Sequence, residues 1–155
     1  IMPSKKLKEF LDNNKVKYTS IKHSPAYTAQ EIAARSHTSG KEMAKTVMMK
    51  ISNKMAMAVL PASYKIDFEA LMEATGFDNV DLASEEEFKY MFPDCEIGAM
   101  PPFGNLYDLN VYVAEKLAED EEISFNAGTH SELIRMTYKD FARLVKTKVL
   151  KFSLT

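Results

Sequence analysis

The sequence predicts one α+β domain, spanning residues 2–155, in which a mixed, largely antiparallel sheet is flanked by helices. Three observations carry that expectation. Segments with helical and strand periodicity mix irregularly along the chain. The apolar runs 46–51 and 55–60 are separated only by Ser52-Asn53-Lys54, which makes them an antiparallel hairpin. A length of 155 residues is enough for one hydrophobic core and too short for two ordinary domains. Ile1 precedes Met2, reads as a remnant of expression, and is left out of fold reasoning.

The elements follow in order. Leu7, Phe10 and Leu11 recur at helical spacing behind Ser4, so residues 4–13 form a capped amphipathic helix, and 16–21 alternates as a strand. Thr28-Ala29-Gln30-Glu31 is a capping box that opens a helix to about Ser36, and Thr38-Ser39-Gly40 breaks it. After the hairpin, Asp67 caps a helix through Ala74 that Gly76 terminates. Ser84-Glu85-Glu86-Glu87 is a second capping box, opening a short helix that Pro93 ends. Residues 98–105 form a Gly/Pro loop. A strand at 109–113, a short helix at 114–118 and strands at 123–127 and 133–136 follow. An amphipathic helix at 137–145 and a strand at 148–152 complete the chain.

Composition narrows the function classes. No apolar run approaches the roughly 20 residues that span a bilayer, and the N-terminal segment lacks the apolar stretch of a signal peptide. Cys95 is the only cysteine, so no internal disulfide is expected and a reducing, cytoplasmic setting fits. Its neighbours Asp94 and Glu96 would raise a thiol pKa, which favours a bystander over a nucleophile. His23, His37 and His130 are scattered and no metal-ligand spacing occurs, so no metal and no cofactor are expected. The net charge of −2 argues against a protein that coats a nucleic-acid backbone, so no DNA partner is expected. Lysines nevertheless crowd the start (Lys5, Lys6, Lys8, Lys15, Lys17, Lys22), and Arg143, Lys146, Lys148 and Lys151 crowd the end. If the ends meet, they form a local basic patch; otherwise they are solvated faces.

Three features stand apart from ordinary core and surface. Lys45 lies at the mouth of an apolar strand, where it either snorkels past the sheet edge or holds a phosphate as a point charge. The loop of Gly98, Ala99, Met100, Pro101, Pro102 and Phe103, closing on Gly104-Asn105, is stiff and offers few amides. It is either a tight connection or a cradle for an oxyanion or ribose hydroxyl. Asn126-Ala127-Gly128-Thr129-His130 ends a strand and presents a histidine, which is either structural or a proton acceptor. No nucleophile elbow is present, and no acid near His130 in sequence completes a triad.

In this order the three features resemble the YbaK/EbsC family: a Lys-Thr strand, then Gly-x-x-Pro-Pro-Phe-Gly, then Asn-Ala-Gly-Thr-His. That family comprises freestanding trans-editing proteins and the editing domain of bacterial prolyl-tRNA synthetase. The resemblance runs from Lys22-His23-Ser24-Pro25-Ala26 to the final helix and strand. It implies an aminoacyl-tRNA deacylase that hydrolyses the ester of a small, Ala- or Cys-like mischarged amino acid, on tRNA for proline among others. Its partners would be the 3′ acceptor end of aminoacyl-tRNA and a prolyl-tRNA synthetase. Lys45, Gly98 and His130 would be catalytic, with Lys45 on a terminal phosphate or ribose and His130 lining the pocket. Ala99, Met100, Pro101, Pro102, Phe103, Gly128 and Thr129 would contact substrate, and water would attack with help from a ribose hydroxyl. Two departures stand out: Ala114 occupies a position where relatives often carry Asp, and Ile21 one where cysteine-type editors tend to have Tyr. They keep open a second reading, a binding module for an aminoacyl or nucleotide ligand on the same fold without turnover. A third reading, a hydrolase of small aminoacyl esters unrelated to tRNA, shares the pocket.

Overall fold

The structure is a computed structural model that describes residues 4–25 and 42–155. The expected capping box at Thr28–Glu31, its helix to Ser36 and the break at 38–40 lie outside the described residues.

Helix α1, Lys5–Asn13, buries Leu7 and Leu11 as its spacing requires. Ser4 precedes it but makes no capping bond. Its side chain turns instead to Glu132, which also takes Lys8 and the Ser20 hydroxyl. The helix stops where Lys15 adopts φ 56°, and the Val16 amide donates back to Leu11 O at 3.1 Å. Val16 is therefore a buried helix stop rather than the start of a strand, and strand β1 is Thr19–Lys22.

Strands β2, Ala44–Ile51, and β3, Lys54–Pro61, form the expected antiparallel hairpin. Ser52 and Asn53 both have positive φ, 53° and 65°, which gives the two-residue turn whose twist matches the paired strands. A two-residue strand β4, Lys65–Ile66, leads into α2, Phe68–Thr75. Asp67 caps α2 through the Ala70 amide, and Gly76 ends it in the left-handed conformation. Strand β5, Val80–Leu82, precedes α3, Glu85–Phe88, which opens with both bonds of the Ser84–Glu87 capping box. That helix closes at Phe88, five residues short of Pro93.

Beyond the Gly/Pro loop, a 3-10 turn at Gly104–Tyr107 leads to strand β6, Asn110–Ala114, and helix α4, Glu115–Ala118. Strands β7, Glu122–Asn126, and β8, Glu132–Thr137, precede α5, Tyr138–Val145, which Thr137 caps through the Asp140 amide. The expected strand at 148–152 is split into β9, Lys148–Leu150, and β10, Ser153–Leu154. Phe152 is fully buried between them, and its carbonyl accepts the Asp67 amide at 2.6 Å. The chain thereby leaves one sheet for another.

Among the described residues the strands form three sheets rather than one. The largest is mixed, in the order β5-β2-β3-β6-β9, with β3-β6 and β6-β9 parallel. The others, β1-β8-β7 and β10-β4, are antiparallel. The expected α+β class with largely antiparallel pairing is what forms. One core holds Met48, Met57, Val59, Val111 and Val113 of the large sheet with Phe125, Ile134 and Met136 of the three-stranded one. Alternation sends Met49, Ile51, Ala58 and Leu60 to the opposite face, against Leu71 of α2 and Phe152. Among the described residues, no helix is long and apolar enough to cross a membrane.

Candidate functional site

The loop and the strand-end turn singled out in the sequence are joined by backbone. The Gly128 amide donates to Ala99 O at 2.9 Å, and the Glu96 amide donates to Gly128 O at 2.8 Å. Within the loop the Ala99 amide closes a turn on Glu96 O at 3.0 Å. Gly98 has φ 86° and Gly128 φ 98°, a region that L side chains enter only at a cost of about 1–2 kcal/mol. Gly98 thereby sits against the imidazole: a Cβ added there would lie 3.5 Å from His130 Nε2.

Burial divides the loop into an outer and an inner part. Gly98 is exposed, whereas Ala99, Met100, Pro101, Pro102 and Phe103 are buried. The Phe103 ring lies edge-on to Phe10 and Phe141, with centroids at 6.1 and 5.5 Å, and tilted against Phe125 at 5.5 Å. Phe103 thus anchors the loop to α1, α5 and β7, with its ring inside the core. The Gly98 amide points at Met100 Sδ, 3.3 Å away, a weak acceptor that a developing oxyanion would readily displace.

His130 is held by a residue the sequence did not single out for this role. Glu96 Oε1 accepts the His130 backbone amide at 2.7 Å and lies 3.1 Å from the ring Nδ1. The imidazole is largely covered (12% exposed), whereas the Glu96 side chain is half exposed. Glu96 lies 34 residues from His130, so only the closure of the loop on the turn reveals the pair. Thr129 closes the turn locally: its Oγ1 accepts the Ser131 amide at 3.2 Å.

Lys45 stands near the start of β2. Just before the strand, Met43 bridges Ser124 in parallel and Glu42 O accepts the Ser124 amide at 3.1 Å. The start of β2 therefore runs beside β7 toward the 126–130 turn. Lys45 stands opposite Leu60, on the face of β2 away from Ala44 and Met48 and so away from the core that holds Met100 and Phe103. Among the described residues it makes no ion pair. Its pKa is lowered, first by burial and then by the Lys65 charge. Lys65, on β4, is a second cation that the sequence gave no reason to choose.

The same face carries a row across the three-stranded sheet. Ile21 pairs with Leu133, and Leu133 pairs with Asn126. Ile21 and Leu133 pack with Met43 and Ala62. Asn126 Oδ1 is buried and has no hydrogen-bond partner among the described residues, a state that costs about 1–3 kcal/mol until a donor arrives. An apolar floor thus ends in an unsatisfied acceptor beside the strand that carries Lys45.

The structure also places the other residues that the sequence singled out. Cys95 is partly buried, and burial, with Asp94 adding to it, pushes its thiol up to about 11, as its acidic setting suggested. The N-terminal lysines are partly committed: Lys6 caps Leu106 O and lies over the Tyr107 ring, Lys8 pairs with Glu132, and Lys5 with Glu9. Ala114 is fully buried at the N-cap of α4 and provides no side-chain cap. Among the described residues, no group of three or more His, Cys, Asp or Glu could hold a metal ion.

Known proteins resemble the chain over most of its length. The family model of the aminoacyl-tRNA editing domain matches residues 23–144. The chain is 26% identical over 143 residues to the prolyl-tRNA editing protein ProX of Acetoanaerobium sticklandii, covering 88% of this chain and 86% of that one. It is 28% identical over 117 residues to the multifunctional Ser/Thr-tRNA deacylase ProXp-y of Escherichia coli K12, covering 72% and 70%. The fold matches that of hypothetical protein APE2540 with a TM-score of 0.86 at 19% identity, over 97% of this chain and all (100%) of that one. A protein described as a candidate trans-editing enzyme for prolyl tRNA synthetase superposes with a TM-score of 0.82 at 20% identity, over 99% and 98%. With the family model covering most of its length, the chain belongs to the aminoacyl-tRNA editing domain family, whose chemistry is aminoacyl-tRNA hydrolysis.

Proposed function

We propose that this protein is an aminoacyl-tRNA deacylase that hydrolyses the ester between a small mischarged amino acid and the 3′-terminal adenosine of tRNA. The observation that carries the reading is Lys45: a partly buried cation on a strand, with no ion pair among the described residues and with Lys65 adding positive charge beside it. A lone desolvated lysine is costly to fold around, and a bound phosphate or ribose of the terminal nucleotide gives it a partner.

The remaining groups divide the work. The Gly98 amide faces the developing oxyanion, with the loop held stiff by the buried prolines and Phe103. Water adds to the ester carbonyl, the carbon–oxygen bond to the ribose breaks, and the ribose oxygen leaves with a proton, freeing the amino acid. His130 lines the pocket beside Gly98. No side-chain nucleophile is required, because positioning alone contributes several kcal/mol. The biological need is physical: a synthetase pocket gains only about 1–3 kcal/mol per methylene, so near-isosteric amino acids slip through.

The partner is the acceptor end of an aminoacyl-tRNA. Relatives named for prolyl-tRNA editing support tRNA for proline as a substrate and a prolyl-tRNA synthetase as a companion, and a tRNA substrate fits a cytoplasmic location. A full set of mischarged tRNAs tests the reading: accelerated release of amino acid from at least one supports it, and none above the spontaneous rate contradicts it. The binding-module reading draws on Ala114, whose methyl group gives the site no carboxylate. Tight binding of a non-hydrolysable aminoacyl-adenosine with no ester cleavage would favour it.

A further inference from the structure

Glu96 meets His130 twice through one oxygen. The backbone amide contact, at 2.7 Å, has only one sense: the N–H donates and the carboxylate accepts. The ring contact at 3.1 Å shares that acceptor, so Nδ1 carries a proton whenever this bond is made. In the neutral imidazole Nε2 then holds the lone pair, and Nε2 is the atom that faces Gly98. The carboxylate is itself held in place by backbone. The Glu96 amide donates to Gly128 O, its carbonyl accepts the Ala99 amide, and the Gly128 amide returns to Ala99 O. The carboxylate thus contacts one ring nitrogen while the other faces Gly98, and the same two turns hold both neighbours.

We infer that Glu96 is a positioning residue for the hydrolysis. It locks the His130 ring in the Nδ1–H tautomer and presents Nε2, as a hydrogen-bond acceptor, to the water or hydroxyl that reacts over Gly98. This rests on the deacylase reading for its chemistry, while the tautomer stands on the geometry alone. An acid holding the far nitrogen of a catalytic-site imidazole is a general way to fix ring orientation and the basicity of the near one. Here the acid comes from the Gly/Pro loop, so the loop that carries the Gly98 amide also sets the histidine. The two halves of the site are thereby made to move as one.

The experiment joins a spectroscopic readout to kinetics on the full chain. Long-range nitrogen–proton correlation spectra, with the His130 signal assigned by its loss in His130→Gln, report which ring nitrogen is protonated in the neutral form. Single-turnover deacylation of a mischarged tRNA is measured in parallel for the wild type, Glu96→Ala and Glu96→Gln. The inference expects Nδ1–H in the wild type and a redistribution of the tautomers in Glu96→Ala. It also expects a kcat loss of about 10²-fold in that variant with KM little changed, the scale of a misplaced reacting group. Glu96→Gln keeps an oxygen acceptor for both N–H groups and should recover most of kcat. An Nε2–H tautomer in the wild type would overturn the inference. So would a Glu96→Ala variant with wild-type tautomer and kcat, or a loss that Gln fails to rescue while both variants melt at the wild-type temperature. If the wild type hydrolyses no mischarged tRNA, the deacylase reading fails, and the tautomer spectra still decide whether Glu96 sets the ring.

Discussion

Replacing Lys45 with Met separates a site built for a ligand from one built for stability. Lys45 sits on β2 opposite Leu60, partly buried, with no ion pair among the described residues and with Lys65 as a like charge nearby. Two charges about 4 Å apart interact by about 1 kcal/mol in water and about 4 kcal/mol at an effective dielectric constant near 20. At a half-buried strand position the phosphate contact is worth roughly 2–3 kcal/mol, so Lys45→Met should lower kcat/KM by roughly 30- to 150-fold. Stability should move the other way. Methionine keeps the apolar stem against the sheet and removes a charge that burial disfavours, so the melting temperature should hold or rise slightly. The pH dependence carries opposite signs for the two quantities. Burial lowers the folded-state pKa of Lys45, so above it the folded protein has released a proton that the unfolded chain still holds. Stability therefore rises as pH increases between that lowered value and the ordinary lysine value, and the Met variant lacks the rise. Activity needs the charged form and falls over the same limb. Deacylation kinetics and thermal melts on the same samples read both effects. A Met variant within twofold of wild-type kcat/KM, or one that loses activity only in step with unfolding, would refute the reasoning.

Other consequences are as direct. Gly98→Ala forces a side chain into φ 86° and places its methyl 3.5 Å from His130 Nε2; stability should fall by about 1 kcal/mol and single-turnover kcat by more than tenfold. Ser84→Ala removes one half of the α3 capping box and should cost about 1 kcal/mol in denaturant unfolding. Lys50, with the Ser84 amide and hydroxyl, holds the Glu87 carboxyl down from its ordinary 4.5 to about 2. Its contribution is therefore fully present above pH 4.5 and is lost as pH falls through about 2, a limb that Glu87→Gln should flatten in acid titrations. Cys95, pushed up to about 11 by burial and by Asp94, should react with iodoacetamide at pH 8 roughly 10²-fold more slowly than a free thiol. Cys95→Ser should keep deacylation within about twofold, since the sulfur takes no part in the proposed chemistry.

The features legible in the sequence are those whose determinants are local. Asp67, Ser84 and Thr137 each cap the helix that follows them, and Ser52-Asn53 turns the hairpin, because each needs only its immediate neighbours. Ser4 shows the limit of that logic. It is a good capping residue by type, yet its hydroxyl serves Glu132, 128 positions away, because Glu132 is buried. Burial pulls that carboxyl upward, and Lys8, Ser20 and Ser4 together hold it below its usual range. Strand β5 exists only as an edge partner of Met49–Ile51, and β4 and β10 only as partners of each other; two or three residues carry no period of their own. The division of strands into three sheets is likewise a matter of pairing across distance.

The site divides along the same line. Gly98 and His130 announced themselves by residue type and are brought together as a unit. Phe103, chosen with its loop, proves to be the loop's anchor in an aromatic cluster. Glu96 was legible only as an acidic neighbour of Cys95, and Asn126 only as part of a turn. Glu96's bond to His130 and Asn126's unsatisfied oxygen appear once β7, β8 and the loop are in place. Ile21, opposite Leu133 and in line with Asn126, packs with Met43 and Ala62, a grouping that only the pairing of β1, β8 and β7 makes visible.

The central claim is that this chain breaks the ester of a mischarged aminoacyl-tRNA. The most direct measurement is the release of amino acid from tRNA charged separately with alanine, cysteine, serine and threonine, against the spontaneous rate, for the wild type and Lys45→Ala. The wild type should accelerate hydrolysis of at least one of them, and Lys45→Ala, still folded, should lose most of that acceleration. Spontaneous rates for all four with the folded wild type would contradict it.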